Sequence, residues 1–421
     1  MLKIVQVVPT VGQESAGPSY SVPHLCRGLV DNGVDTELHF LGSVSNRLKR
    51  EWFRSIAYSR HDSANLGWSP EMLKGLREAC KTADVIHSNS LWMMPNVYPV
   101  WAVKGTSCKL VVAPRGTLAA WSLKKGWLKK KIFGWLLQNQ VLRRADMFHA
   151  TSEKEYEEIR AAGYKQPVAI IPIGMDIPIG NAVKVRGEGE RRKVVFFGRL
   201  HKVKAVDRLV QAWELVVRGE GGQGERSRPT EVSSSFLDFD MRSQWELVIA
   251  GPDCGVRGEL EQYIADHKVP HVRFVGEING QAKYEFLAAA DLYVLPSHTE
   301  NFGVTVAEAL ACGTPVIVSK STPWQGVLNC GLKSNDRMLE QSNTSSCGWW
   351  VDNDTETLAK TLCEAMSLTD DERKQMGVVG GEWIRRDFTW GGIGAKMKAA
   401  YEWLLNPDAV ARPEFVKVDE R

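Results

Sequence analysis

Short runs rich in valine, isoleucine and leucine recur along this chain, each followed by a stretch with helical spacing, and the pattern is played through twice. The first series is Lys3–Val8, Asp35–Leu41, Val85–Ser88, Lys109–Ala113, Met147–Ala150 and Val168–Ile171. The second is Lys193–Phe197, Glu246–Ala250, Val272–Val275, Leu292–Leu295 and Pro315–Val318. Runs that are apolar at consecutive rather than alternate positions suit strands covered on both faces. Strands of that kind alternating with helices predict a parallel sheet wrapped by helices. Two such series in 421 residues, a length beyond one comfortable core, predict two doubly wound α/β domains.

The polar stretch Gly180–Lys193 lies between the series and reads as the inter-domain linker, which sets the domains at 1–178 and 179–388. A helix over 389–406, with Ile393, Met397, Ala400, Tyr401 and Leu404 at helical spacing, is expected to pack back on the first domain. Residues 218–243, which contain GEGGQGERSRPTEVSSS, read as a flexible surface insertion in the second domain, with a functional lid as the alternative.

Charge and cysteine usage narrow the classes. A net charge of +3 argues against nucleic acid as the main partner. The 8 cysteines form no CxxC pair and no zinc spacing, and they read as reduced packing residues. The N-terminus runs into the first strand with no signal-peptide h-region, and no apolar run reaches the roughly 20 residues that cross a bilayer. The expectation is a cytoplasmic protein whose membrane contact, if any, is peripheral.

The most informative segment is Leu292–Val318, LYVLPSHTENFGVTVAEALACGTPVIV. A strand ends at Leu295, a polar loop follows, and a helix opens near Gly303 or Val304. A helix N-terminus at the carboxyl end of a buried strand presents free N–H groups and a positive dipole end to an anion. Gly303 lets the backbone approach that anion closely. Glu300 lies in the loop, and Glu308 lies about one turn into a helix that is otherwise apolar. A carboxylate in such surroundings either pairs on a solvated face or serves a ligand, and sugar and ribose hydroxyls are natural donors to it. In VVFFGRLHKVKAVDRLV, Val194–Val210, strand, glycine turn and helix recur, with Arg199 and Lys204 placed to neutralise a diphosphate.

ENFGVTVAE, FGRLHKVKAVD and ALACGTPVI together closely resemble the retaining GT-B glycosyltransferases of family 4, over nearly the whole chain. The resemblance implies two Rossmann-like domains facing a central cleft. It implies that Arg199 and Lys204 hold the diphosphate of a UDP-, GDP- or ADP-sugar, that Glu308 binds the ribose, and that Glu300 faces the sugar. The backbone of Asn301, Phe302, Gly303 and Val304 would contact sugar and phosphate oxygens. Ala205 departs from the family, which usually has glycine after the lysine. No metal is expected, since no Asp-x-Asp pair appears in a suitable loop.

The first domain carries weaker signals. Glu14–Val22 resembles the family's glycine-bearing loop beside the donor phosphates, although only Gly17 of the usual glycine pair is present. The family often has histidine where Asn89 or Arg115 falls. His87 reads equally as a core or a functional histidine, whereas Arg115, beside Gly116 at a strand end, is the better candidate for touching donor or acceptor. HATSEKE (His149–Glu155) and IPIGMD (Ile171–Asp176) also match the family, most of their residues reading as structural. The stretch 121–144, WSLKKGWLKKKIFGWLLQNQVLRR, is basic and tryptophan-bearing. It reads either as a surface helix with one apolar face in the core or as a patch for anionic lipid.

The reading that fits these residues is transfer of a hexose from a nucleoside-diphosphate sugar to a hydroxyl of a saccharide or lipid-linked acceptor, as in cell-surface polysaccharide or lipopolysaccharide assembly. The donor would lie mainly on the second domain and the acceptor on the first. The catalytic set would be Arg199, Lys204 and Glu300. A nucleotide-sugar epimerase of the same architecture is the principal rival, because fold does not fix function. A phosphorylase or glycogen synthase, and a non-catalytic sugar-nucleotide binder, are the others.

Overall fold

The computed structural model describes residues 1–11, 17–44, 53–61, 66–119, 133, 137–177, 189–219, 242–333 and 345–419. The chain divides into two compact units, Met1–Asp176 together with Asp387–Arg421, and Ile177–Arg386. Most of the basic stretch 121–144 and of the insertion 218–243 lies outside the described residues.

Unit 1 runs β1 (Lys3–Val7), α1 (Gly17–Asp31), β2 (Asp35–Leu41), β3 (Arg54–Tyr58), α2 (Pro70–Ala79), β4 (Val85–Asn89), α3 (Met94–Ala102), β5 (Lys109–Ala113), α4 (Asn139–Arg144), β6 (Met147–Ala150), α5 (Glu153–Ala161) and β7 (Val168–Ile170). Unit 2 runs β8 (Arg192–Phe197), α6 (Val206–Arg218), β9 (Trp245–Ala250), α7 (Arg257–Asp266), β10 (Val272–Gly276), α8 (Gln281–Ala288), β11 (Leu292–Leu295), α9 (Val304–Ala311), β12 (Val316–Ser319), β13 (Gly348–Val351), α10 (Thr355–Ser367) and α11 (Asp370–Asp387). The chain then returns to unit 1 with α12 (Trp390–Leu405) and β14 (Val416–Lys417).

The unit 2 sheet has the order β10-β9-β8-β11-β12-β13, with every pairing parallel. That is third, second, first, fourth, fifth, sixth: a doubly wound sheet whose strand order reverses between β8 and β11. Val194 and Val195 of β8 register with Leu292 and Tyr293 of β11 across that point. The inner strands β11 and β12 are buried along their whole length, as their unbroken apolar runs require, whereas the edge strands β10 and β13 are mostly half-buried.

The unit 1 sheet has the order β14-β7-β6-β5-β4-β1-β2-β3, with the reversal between β1 and β4. The two-residue β14 pairs antiparallel with β7 at one edge. Strands β3, β13 and β14 are not among those expected from the sequence. β3 is a half-buried edge strand, RSIAY, and β13 is GWWV; neither carries a run of β-branched residues long enough to stand out. Helix α12 lies against α1 where glycines meet. A Cβ on Gly28 would collide with the Trp390 carbonyl, and one on Gly394 with the Gly28 carbonyl. The backbones approach so closely there that any larger residue would force them apart.

Candidate active site

Ligands of open α/β sheets bind outside the carboxyl ends of the strands, at the point where strand order reverses. In unit 2 that point is flanked by the loops after β8 and β11, and these hold the residues singled out from the sequence. After β8 the chain passes Gly198 and the exposed Arg199, then makes a single 3-10 turn over Lys202–Lys204. His201 caps this turn by accepting from the Val203 amide at 3.1 Å. Ala205 follows in the left-handed region, at φ 49° and ψ 41°, and is fully buried. This is where the family's glycine would stand. The methyl carries a backbone cost of about 1–2 kcal/mol that glycine avoids.

The two loops are tied together. The His298 amide donates to the Val203 carbonyl at 2.9 Å. Lys204 Nζ donates to Glu300 Oε1 at 2.5 Å, and Ser297 Oγ donates to the same oxygen at 2.8 Å. A lysine and a glutamate 96 positions apart thus form a largely buried pair beside the reversal point. The Arg199 side chain makes no ion pair or hydrogen bond among the described residues and stays exposed.

Gly303 precedes α9 at φ 79° and ψ 60°, a left-handed conformation that only glycine adopts freely. The Phe302 carbonyl accepts from Trp324 Nε1 at 2.5 Å, and the Phe302 and Trp324 rings lie 5.1 Å apart. Trp324 is 2% exposed, so the loop that carries Asn301, Phe302 and Gly303 rests on a rigid aromatic floor. Val304 and Thr305 open the helix. Thr305 Oγ1 accepts from Tyr293 Oη at 2.6 Å, and burial pushes that phenol far above its ordinary pKa.

Glu308 is 4% exposed on α9 and is paired by Lys283 of α8, Nζ to Oε1 2.5 Å. The Lys283 ammonium also lies 4.5 Å from the Tyr284 ring centre. Burial opposes charge on Lys283, but the Glu308 carboxylate, with a smaller contribution from the Tyr284 hydroxyl, outweighs it and raises the pKa. Lys283 is not marked in the sequence: a lysine in QAKYEFLA has no local signal, and only the packing of α8 on α9 discloses its partner.

The loops after β8, β9 and β10 converge as well. The Gly198 amide donates to the Ala250 carbonyl at 3.0 Å and the Gly251 amide to the Gly276 carbonyl at 2.7 Å. Gly251 stands at φ 136°, and a Cβ there would strike the Gly198 carbonyl. Asp253 accepts from the amides of Gly255, Val256 and Arg257 and fixes the turn ahead of α7.

In unit 1 the reversal point is lined by a connected polar chain. The Tyr401 hydroxyl of α12 is hydrogen-bonded to His87 Nδ1 at 2.7 Å and accepts from Gln6 Nε2 at 3.0 Å. Asn89 Nδ2 donates to Gln6 Oε1 at 2.9 Å, which leaves Asn89 Oδ1 facing Arg115, whose Nη2 donates to it at 2.8 Å. Burial lowers the pKa of His87 well below its ordinary value and that of His149 to about 3, so both are neutral. His87 is fully buried, with Nδ1 held by Tyr401; it is a core histidine. Gly17 begins α1, is exposed, and a Cβ there would meet nothing within 4 Å of its own unit. Among the described residues, no group of His, Cys, Asp and Glu could hold a metal ion.

This geometry coincides with two known sequence families. Residues 181–378 match the glycosyl transferases group 1, and residues 16–174 match the glycosyl transferase 4-like domain. The chain belongs to the group 1 glycosyl transferases. The group 1 match contains the Lys204–Glu300 and Lys283–Glu308 pairs, and the second match contains Asn89 and Arg115.

A D-inositol 3-phosphate glycosyltransferase of Jonesia denitrificans is 26% identical to this group 1 member over 63% of this chain and 58% of that protein. A phosphatidyl-myo-inositol mannosyltransferase of Mycobacterium leprae is 30% identical over 42% and 45%. The chain thus spans about half the length of these curated relatives. In fold, it is similar to HepE of Anabaena, solved in complex with UDP and glucose (TM-score 0.66, 16% identity, 96% of this chain and 100% of that one). It is equally similar to a sucrose-phosphate synthase of Thermosynechococcus elongatus (0.66, 18%, 97% and 100%). The fold is of the GT-B class expected from the sequence.

Proposed function

We propose that this group 1 member transfers a hexosyl group from a nucleoside-diphosphate sugar to a hydroxyl of a saccharide or lipid-linked acceptor, with retention at the anomeric carbon. The observation that carries the reading is the Lys204–Glu300 pair, which joins the loops after the first and fourth strands beside the glycine that opens α9. The donor would bind to unit 2. Breaking its glycosidic bond leaves negative charge on the diphosphate, and Arg199, Lys204 and the free amides at the start of α9 are the groups suited to stabilise it. Glu300 then shares Lys204 with the diphosphate and accepts from sugar hydroxyls, while Glu308, oriented by Lys283, accepts from the ribose. Asn301, Phe302, Gly303 and Val304 would offer backbone contacts. The reading requires no metal.

A UDP-sugar is the first donor to test, because HepE was solved with UDP-glucose and shares this fold. GDP- and ADP-sugars are the alternatives. The phosphatidyl-myo-inositol mannosyltransferase and the lipopolysaccharide outer core galactosyltransferase WaaB among similar proteins favour an acceptor in cell-envelope glycoconjugate assembly. The acceptor would bind to unit 1. No helix among the described residues is long and apolar enough to cross a membrane. Action at the cytoplasmic face, with 121–144 resting on anionic lipid, belongs to the same proposal.

A thermal-shift panel of UDP-, GDP- and ADP-sugars tests the donor, since a ligand bound only by the native state raises its melting temperature. One nucleotide class should do so. Lys204→Ala should lower kcat by about 10²–10³, the usual loss when a group stabilising transition-state charge is removed. No shift with any donor, or unchanged turnover in Lys204→Ala, would sink the reading.

A further inference from the structure

At the carboxyl end of β5, two successive residues, Arg115 and Gly116, both take left-handed backbone conformations, at φ 56° and 75°. Arginine in that region costs about 1–2 kcal/mol, and such strain persists only where its surroundings impose it. Glu155 is what imposes it. One of its oxygens accepts from the Gly116 amide at 2.6 Å; the other accepts from the amide and hydroxyl of Thr151 at 2.7 and 2.9 Å. Its oxygens are therefore engaged in fixing backbone, and it forms no ion pair with the guanidinium. The Thr117 hydroxyl closes the same turn on the Pro114 carbonyl at 2.5 Å.

Arg115 is half-buried, and among the described residues its hydrogen bonds go to one neutral oxygen, Asn89 Oδ1, from Nε at 3.3 Å and Nη2 at 2.8 Å. Its Nη1 makes none. Burial pushes the guanidinium down to about 10, so it is still cationic at neutral pH. The amide oxygen is aimed by the chain Tyr401–Gln6–Asn89, in which each donor and acceptor is fixed by the next. A buried arginine ordinarily pairs with a carboxylate. Here the protein supplies a cation, locks its orientation through a neutral relay, strains the backbone to place it, and engages Glu155, whose charge reaches the guanidinium only through space, in hydrogen bonds to Gly116 and Thr151.

We propose that Arg115 is an anion-binding residue of unit 1, which takes a phosphate or carboxylate group of a substrate on the edge of the guanidinium that Asn89 leaves open. Asn89 is its positioning residue. The naming of a substrate rests on the glycosyl-transfer reading; the anion site itself does not. Two sources share the chemistry: the diphosphate of the donor, and an acidic group carried by the acceptor.

The test titrates the full chain by calorimetry with UDP, GDP and ADP and, separately, with inorganic phosphate, comparing wild type with Arg115→Met and Arg115→Lys. A lost charge-assisted hydrogen bond weakens binding about tenfold or more. If the nucleoside diphosphate weakens by that factor in Arg115→Met, the anion is the donor's. If phosphate weakens and the nucleotide does not, the acidic group belongs to the acceptor. Arg115→Lys should recover part of the loss in either case, since a point charge replaces the fork. Less than about a threefold change with both titrants, in a variant that still melts cooperatively, overturns the proposal. If Arg115→Met fails to melt cooperatively, Arg115→Gln is scored by the same outcomes. Wild type that binds none of the three nucleotides strikes the donor reading, and the phosphate titration then decides Arg115 alone.

Discussion

At the scale of single residues, burial of charge sets the terms. Glu308 is an acid inside an otherwise apolar helix, and Lys283 is what makes its ionised form tolerable there. Removing one partner of a buried pair leaves an uncompensated charge and costs about 3–5 kcal/mol. Lys283→Met should therefore destabilise unit 2 by an amount in that range, and the double variant Lys283→Met/Glu308→Gln should recover much of it. Urea denaturation of the two variants checks this; equal losses in both would show that the pair carries no coupling. Ala205 poses the opposite question. Its left-handed backbone favours glycine, but glycine gains unfolded-chain entropy and the site loses a buried methyl. These effects nearly cancel, so Ala205→Gly should stay within about 0.5 kcal/mol of wild type, whereas Ala307→Gly inside α9 should cost about 1 kcal/mol or more. Comparable losses in both denaturation curves would refute the strain at Ala205.

At the scale of elements, the edge of the unit 1 sheet is held by a polar ladder. His39 of β2 lies 2.9 Å from the Tyr58 hydroxyl of β3 and 3.3 Å from Glu37, whose other oxygen is 3.4 Å from Lys3 of β1. Tyr58 packs on α2 at Gly75, where a Cβ would strike its hydroxyl. The hydrogen bond from His39 and the charge of Lys3 hold the Glu37 carboxyl down to about 2, against its desolvation. The folded state thus favours the ionised form. That contribution to stability is full above the ordinary carboxylate value of 4.5 and is lost as pH falls through about 2. Glu37→Gln should cost about 1–3 kcal/mol at neutral pH, with the difference from wild type shrinking as pH falls through that window. Denaturation midpoints measured across the range decide it; a difference that grows on acidification would be the wrong sign.

At the scale of the whole molecule, the last segment of the chain belongs to the first unit. Helix α12 covers α1 at the Gly28–Gly394 approach, and Tyr401 satisfies Gln6 and His87 from 395 and 314 positions away. β14 adds an edge to β7. A chain that stops at Arg386 would leave Gln6 and His87 buried without that partner and would uncover an apolar face of α1, each a destabilising change. Unit 2 keeps its own sheet and core. Limited proteolysis followed by mass spectrometry should show fragments of unit 1 released first from the truncated chain, with 189–386 persisting. Unit 1 as resistant as in the full chain would contradict this.

Much of the architecture was legible from the amino acids alone, because consecutive apolar runs report strands buried on both faces wherever the chain folds. Gly303 before an apolar helix, and the Glu300–Glu308 spacing, are likewise local properties. Strands β3, β13 and β14 lacked that signal because edge and short strands need few β-branched residues. What only the tertiary structure decided is which side chains meet. Lys204 finds Glu300 because strand order sets the first strand beside the fourth; Lys283 finds Glu308 because α8 packs on α9; and Arg115 is held through Asn89 and Gln6 by a tyrosine from the far end of the chain. Periodicity records how deeply a residue is buried, and that follows from neighbours in sequence. The partner of a buried charge is fixed by topology, which no local window contains.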